Sequence, residues 1–189
     1  MEEDKRDERD EYDLEEESPF PRWLEGDSLA PDCQSDLAVV TAMLELANVT
    51  EADFVFDLGC GDGRVCLTAT KKYGTRSRGI EIEKELIEKF QRGVGTLEQR
   101  LQDKVQVVHG DLRKVDLSEA TVVFLYMLPE AMAELEPQLL SWLGDCGSSN
   151  RRLVCQTWGL KGIKPVARVS KGEWQNVDLL LFTKVSLSL

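Results

Sequence analysis

Three carboxylates and one glycine-rich turn are the residues of this 189-residue chain whose types and spacing point to chemistry. Asp57 stands two residues ahead of Gly59-Cys60-Gly61-Asp62-Gly63-Arg64. Glycines at such a turn let the backbone approach a ligand that side chains would collide with. A carboxylate beside them suits a cationic ligand better than a pyrophosphate. Glu81, in Arg78-Gly79-Ile80-Glu81-Ile82, follows Gly61 by 20 residues. A carboxylate there can accept hydrogen bonds from both hydroxyls of a ribose, and Glu83 is its near competitor. Asp111 ends Val107-Val108-His109-Gly110-Asp111 and can accept from the exocyclic amine of a base. In chain order these groups suit an amino-acid moiety, a ribose and a base. Taken singly, each acid has an alternative reading as a helix cap or a solvated turn residue, and for Asp111 the two readings weigh alike. The three together with the glycine turn point to one ligand.

The same spacing excludes other chemistries. Dinucleotide-binding turns read G-x-G-x-x-G, and here Arg64 occupies the third glycine position, which counts against a nicotinamide-dependent oxidoreductase. No G-x-x-x-x-G-K-[ST] occurs, which disfavours a nucleoside triphosphate. The cysteines are Cys33, Cys60, Cys66, Cys146 and Cys155; their number is odd and no pair has C-x-x-C spacing. Free thiols are expected, with neither a disulfide framework nor a zinc site. With His109 the sole histidine, no metal site is expected, and His109 itself is read as packing or bonding locally.

Short apolar runs alternate with helical periodicities around these residues. Leu37, Val40, Met43, Leu44 and Ala47 predict a helix over Ser35 to Ala47, with Asp32 or Ser35 as its cap. Strands are predicted at Asp53–Leu58, Arg78–Ile82, Val105–His109, Ala120–Tyr126 and Arg152–Thr157. Helices are predicted at Val65–Tyr73, at Lys84–Leu101 (weakened by Gly93 and Gly95) and at Pro129–Leu143. Val166–Val169 and Val177–Val185 read as a closing antiparallel pair, with Glu173-Trp174 near the bend. Such alternation implies an α/β, doubly wound, mostly parallel sheet, and in such sheets ligands bind at the carboxyl ends of the strands. The expected organisation is an acidic, disordered tail over residues 1–27 and one domain over 28–189.

Asp57-Leu-Gly-Cys-Gly-Asp-Gly-Arg64, then Gly79-Ile-Glu-Ile82, then His109-Gly-Asp111 resembles the class I, seven-β-strand methyltransferases dependent on S-adenosylmethionine (AdoMet). The resemblance implies a Rossmann-like, seven-stranded sheet with the last strand inserted antiparallel. It implies that Gly59 and Gly61 face the methionine portion of AdoMet with Asp57 close by. Glu81 would bind the ribose and Asp111 the adenine, with Cys60, Ile82 and Leu112 lining the same cofactor site. A narrower likeness rests on Ala30-Pro31 with Leu37-Ala-Val-Val40 and Met43-Leu-Glu-Leu-Ala47, and on Ala120-Thr-Val-Val-Phe-Leu-Tyr-Met-Leu-Pro-Glu130. It is to small protein-lysine methyltransferases of the ATP synthase c subunit and adenine nucleotide translocase type.

That likeness implies a protein substrate with an accessible lysine, and S-adenosyl-L-homocysteine as the product. Tyr126, Pro129 and Glu130 are then the catalytic candidates. Tyr126 would line the amine channel, Pro129 would fix the loop, and Glu130 would attract the incoming cation. The alternative reading of Tyr126 is a strand-end core aromatic, and that of Glu130 an acid favoured by a helix dipole. Trp158 is a further candidate for the border of the acceptor pocket. The alternatives are a methyltransferase for a small molecule or RNA, and a non-catalytic AdoMet-binding partner subunit.

The formal net charge is −12, and residues 1–17, with 11 acids and 3 bases, carry −8 of it. Such a block is expected to be solvated or to attract a basic partner. No basic stripe marks a duplex nucleic-acid partner. No apolar run approaches the ~20 residues of a membrane span. The acidic start is unlike a secretory or mitochondrial leader. Cytoplasmic or nuclear location is therefore expected, with a mitochondrial one suggested by the resemblance alone.

Overall fold

Phe54–Leu58 is buried along its whole length, and a strand covered on both faces belongs in the middle of a parallel sheet. The computed structural model, which describes residues 34–145, 150–171 and 177–188, places it there as β1. The other strands are β2 (Arg76–Glu81), β3 (Val105–His109), β4 (Val122–Leu125), β5 (Arg152–Gln156), β6 (Ala167–Lys171) and β7 (Val177–Thr183). They form one seven-stranded sheet in the order β3-β2-β1-β4-β5-β7-β6. The first five are mutually parallel; β7 lies antiparallel between β5 and β6. The order reverses between β1 and β4, which is where a doubly wound sheet opens a crevice.

The helices are α1 (Leu37–Leu46), α2 (Arg64–Tyr73), α3 (Lys84–Gly95), α4 (Gln99–Gln102) and α5 (Pro129–Gly144). Val39, Val40, Met43 and Leu44 of α1 and Val65 and Ala69 of α2 bury one sheet face with Val55, Phe124 and Val154. Phe90 of α3 packs against Cys60, Cys66 and Val105. On the opposite face, Met132, Leu135, Leu139 and Leu143 of α5 cover Phe56, Leu58, Val123, Leu125 and Leu153. The expected doubly wound, Rossmann-like architecture is thus the observed one.

Two local expectations are corrected. The helix expected over Lys84–Leu101 ends at Gly95 and resumes briefly at Gln99. Glycine is a poor helix former, and the Thr96 hydroxyl donates to the Gly93 carbonyl at 2.7 Å, satisfying one free end of α3. Ser35 does not cap α1. Asp36 holds the cap position without a side-chain bond, and the Ser35 hydroxyl donates instead to Gln156 Oε1 at 2.7 Å. Residues 1–27, Asp32, Cys33, Cys146 and the expected bend at Glu173-Trp174 lie outside the described residues. Among the described residues no helix is long and apolar enough to cross a membrane.

Candidate active site

The glycine turn hangs on the end of β2. The amides of Gly59 and Cys60 both donate to the Ile80 carbonyl, at 2.9 and 3.0 Å, and Gly63 N–H closes the turn onto Cys60 O at 2.9 Å. Gly59 and Gly61 take φ of +75° and +54°, the left-handed region that favours glycine. The Cβ position of Gly61 faces open space, with no atom within 4 Å. A Cβ on Gly59 would meet the methyl of Met127, from the segment after β4. Met127 is itself buried. The turn after β1 and the turn after β4 are therefore packed together.

Glu81 is the knot of this edge. Its Oε2 accepts from Gly61 N–H at 2.8 Å, and its Oε1 accepts from Ile82 and Glu83 N–H at 2.8 and 3.0 Å. A carboxylate has about four acceptor sites, so three backbone bonds leave capacity on Oε2. The Glu81 carbonyl accepts from Gly110 N–H at 2.9 Å, and His109 Nε2 lies 3.0 Å from Ile82 O. His109 thus bonds locally, tying the end of β3 to that of β2. Glu83, the competitor, is exposed at the start of α3.

Asp57 is 6% exposed and lies near Glu81 and Asp62. Burial, reinforced by the charges of Glu81 and Asp62, pushes its carboxyl up to about 7. A cation placed here would relieve that penalty, which fits the positively charged methionine end of AdoMet and not a phosphate. Asp111 caps the short 3₁₀ turn Leu112–Lys114 and accepts from Arg113 N–H at 2.9 Å and Arg113 Nε at 2.8 Å. The Arg113 guanidinium holds its carboxyl below the usual range. The cap reading of Asp111 therefore holds, with its second oxygen also 3.0 Å from Arg113 Nε. Leu112 and Ile82 are half-buried beside these acids.

Tyr126 follows β4 directly. The pairing of Leu58 with Leu125 sets it level with Gly59. It is half-buried, and Pro129 opens α5 with Glu130 exposed in the first turn. There the helix dipole favours an acid, so both readings of Glu130 fit its place.

Arg64 does more than displace a third glycine. Its guanidinium pairs with Asp62 at 2.7 Å, donates to the Ser35 carbonyl at 2.6 Å and reaches the Gln34 side chain. It binds the approach to α1 onto the glycine turn. The Asp62-x-Arg64 spacing was the available signal. Cys60, Cys66 and Cys155 are free and buried, and burial raises all three thiols, which keeps them neutral and unreactive.

Residues 57–167 match the family described as the ANTKMT methyltransferase domain. A protein-lysine N-methyltransferase of Saccharolobus islandicus (strain REY15A) is 35% identical over 146 residues, 75% of this chain and 86% of that protein. The crystal structure of an RNA methyltransferase from Salinibacter ruber, in complex with S-adenosyl-L-homocysteine, is 35% identical with a TM-score of 0.70. It covers 80% of this chain and 95% of that one. A precorrin-6y C5,15-methyltransferase from Geobacter metallireducens, at 14% identity and a TM-score of 0.61, shares the fold over 82% of this chain and 92% of its own. With the glycine turn, the acids and these likenesses together, the chain belongs to the ANTKMT methyltransferase domain family and is an AdoMet-dependent methyltransferase.

Proposed function

We propose that the enzyme methylates the side-chain amine of lysine in protein acceptors. The observation that carries this reading is the Saccharolobus relative, named for that activity and aligned over three quarters of the chain. The Salinibacter relative, named for RNA, motivates the second reading, an RNA acceptor. The acidic balance of the chain favours protein, since phosphate backbones are gripped by clustered Lys and Arg.

AdoMet, when bound, supplies an electrophilic methyl group. In this reading Gly59, Cys60 and Gly61 bring backbone against its methionine portion, with Asp57 offering negative charge there. Glu81 takes the ribose hydroxyls on its remaining acceptor capacity, between Ile82 and Leu112. Asp111 takes the base amine while sharing its carboxylate with Arg113. The acceptor amine would have to be held and oriented toward the donated methyl group by this chain's own residues. It must also arrive neutral, although its free pKa is ~10.4. Tyr126 and the carbonyls of Tyr126 and Met127 orient it in a desolvated channel, which favours the neutral amine. Pro129 fixes the loop, and the exposed Glu130 attracts the ammonium before it enters. The acidic N-terminal segment adds a long-range attraction for basic acceptors.

The test is transfer of radiolabelled methyl groups from AdoMet into a lysate of cells lacking the enzyme, separated into protein and RNA. Label in lysine of a protein band is expected. Label confined to RNA overturns the lysine reading, and label in neither assigns the chain to a non-catalytic partner role. Tyr126→Phe should slow turnover while sparing AdoMet affinity; an unchanged turnover removes the hydroxyl from the mechanism.

A further inference from the structure

The end of β5 departs from the strand geometry its sequence favours. Thr157 has φ of +68°, and a β-branched residue at positive φ is a genuine outlier. Trp158 N–H donates back to Gln156 O at 2.8 Å, so Gln156-Thr157-Trp158 is a γ-turn of the strained, positive-φ kind. Thr157 Oγ1 is buried and has no hydrogen-bond partner among the described residues. Buried hydroxyls are ordinarily satisfied, and strain of this sort persists where the surroundings enforce it, often at functional sites.

The surroundings do enforce it. On one side Gln156 is buried and receives the Ser35 hydroxyl. On the other, Gly159 is pressed against Leu180 and Phe182, and Leu160 is buried in the same core as Met127 and Met132. Thr157 N–H donates to Asp178 O at 2.7 Å, fixing the turn to β7. Between these anchors Trp158 is left 44% exposed. The last pair of the β4–β5 ladder is Leu125 with Cys155, so Tyr126 leaves β4 level with Gln156, the residue before the turn. The turn therefore stands two strands from the glycine turn of β1, roughly 10 Å along the sheet edge. That is the far side of the segment holding Tyr126.

We propose that the strained Gln156-Thr157-Trp158 turn is the outer wall of the acceptor channel, with Trp158 binding the lysine side chain of the incoming protein. The proposal rests on the lysine reading above and names the residues that select for it. A tryptophan face attracts an ammonium placed within about 6 Å of its ring and also packs an aliphatic stem. Trp158 is an acceptor-binding residue, and Thr157 is a positioning residue that aims it through the turn.

The test is steady-state methylation with total protein from cells lacking the enzyme as acceptor, varied at saturating AdoMet and then the reverse. Trp158→Ala should raise the apparent acceptor KM about tenfold or more and leave the KM for AdoMet unchanged, since cation–π contacts are of that size. Trp158→Phe should recover most of the loss. Thr157→Gly relieves the backbone strain, so it should melt no lower than the natural protein while raising the acceptor KM. A Trp158→Ala enzyme with the natural acceptor KM overturns the proposal. Separately, natural enzyme that labels RNA and no protein overturns the lysine reading itself, and the wall with it.

Discussion

Asp53 and Asp57 stand at opposite ends of β1, four residues apart, both buried, and they are treated in opposite ways. Asp53, just before the strand, accepts from Thr50 N–H and the Thr121 hydroxyl, each at 2.8 Å, and pairs with Arg152. Burial alone would raise its carboxyl, but the bonds from Thr121 and Thr50 and the Arg152 charge bring it below the usual range. Asp57 meets two further acids and is pushed up to about 7. The amino end of the sheet is a satisfied electrostatic knot, and the carboxyl end stores an unrelieved penalty. A cationic group of AdoMet placed beside Asp57 would relieve that penalty.

Substitution at either end of β1 separates the two carboxylates. Removing one partner of a buried ion pair costs about 3–5 kcal/mol. Asp53→Ala should lose stability on that scale in urea unfolding, yet bind AdoMet normally by calorimetry while folded. Any weakening of AdoMet binding in folded Asp53→Ala would blur the division between the two ends. Next, Glu81→Ala strips the acceptor from Gly61, Ile82 and Glu83 N–H groups at once. Unsatisfied buried donors cost about 1–3 kcal/mol, and AdoMet affinity should fall on the order of a hundredfold. A variant that lost stability alone would make Glu81 a structural clasp.

Asp57→Asn sharpens the contrast, because stability and binding should move in opposite directions. Well below 3.8 the carboxyl is protonated in both folded and unfolded chains. Between the ordinary value of 3.8 and about 7 the folded chain holds the extra proton, so stability falls as pH rises through that window. Above pH 7 the penalty is complete, and Asp57→Asn should there be more stable than the natural protein by about 1–3 kcal/mol. It should also bind AdoMet about tenfold more weakly, by the charge lost. In the natural protein, AdoMet affinity should rise with pH up to about 7, as binding releases the Asp57 proton. A flat titration below pH 7 would separate Asp57 from the cation. The smallest change is Gly61→Ala. Its Cβ meets nothing, so only the positive φ resists it, at about 1 kcal/mol. A larger relative effect on AdoMet affinity is expected, since the new methyl group enters the ligand's space.

Most of the glycine-turn edge was legible because its signals are local. The Gly59-to-Arg64 turn, the apolar β1 and the 20-residue step to Glu81 follow from backbone sterics and strand burial within one stretch of chain. The turn after β5 was less so. Thr157 reads as the last residue of β5, since β-branched residues favour strands. Its N–H is held by the Asp178 carbonyl of β7, and Leu180 and Phe182 of the same strand press on Gly159 two residues further on. The Ser35 hydroxyl has a cap's chemistry, but Gln156, 121 residues away, receives it. Arg64 likewise spends its guanidinium on residues 29 and 30 positions earlier as well as on Asp62. Partners brought by tertiary packing leave no trace in local spacing.

A crystal structure with S-adenosyl-L-homocysteine puts the division between the two ends of β1 to the most direct test. The ribose hydroxyls should lie within hydrogen-bonding distance of Glu81, with the amino-acid moiety over Gly61 and beside Asp57. Product bound away from these strand ends, or a Gly61 edge closed against it, would contradict the account.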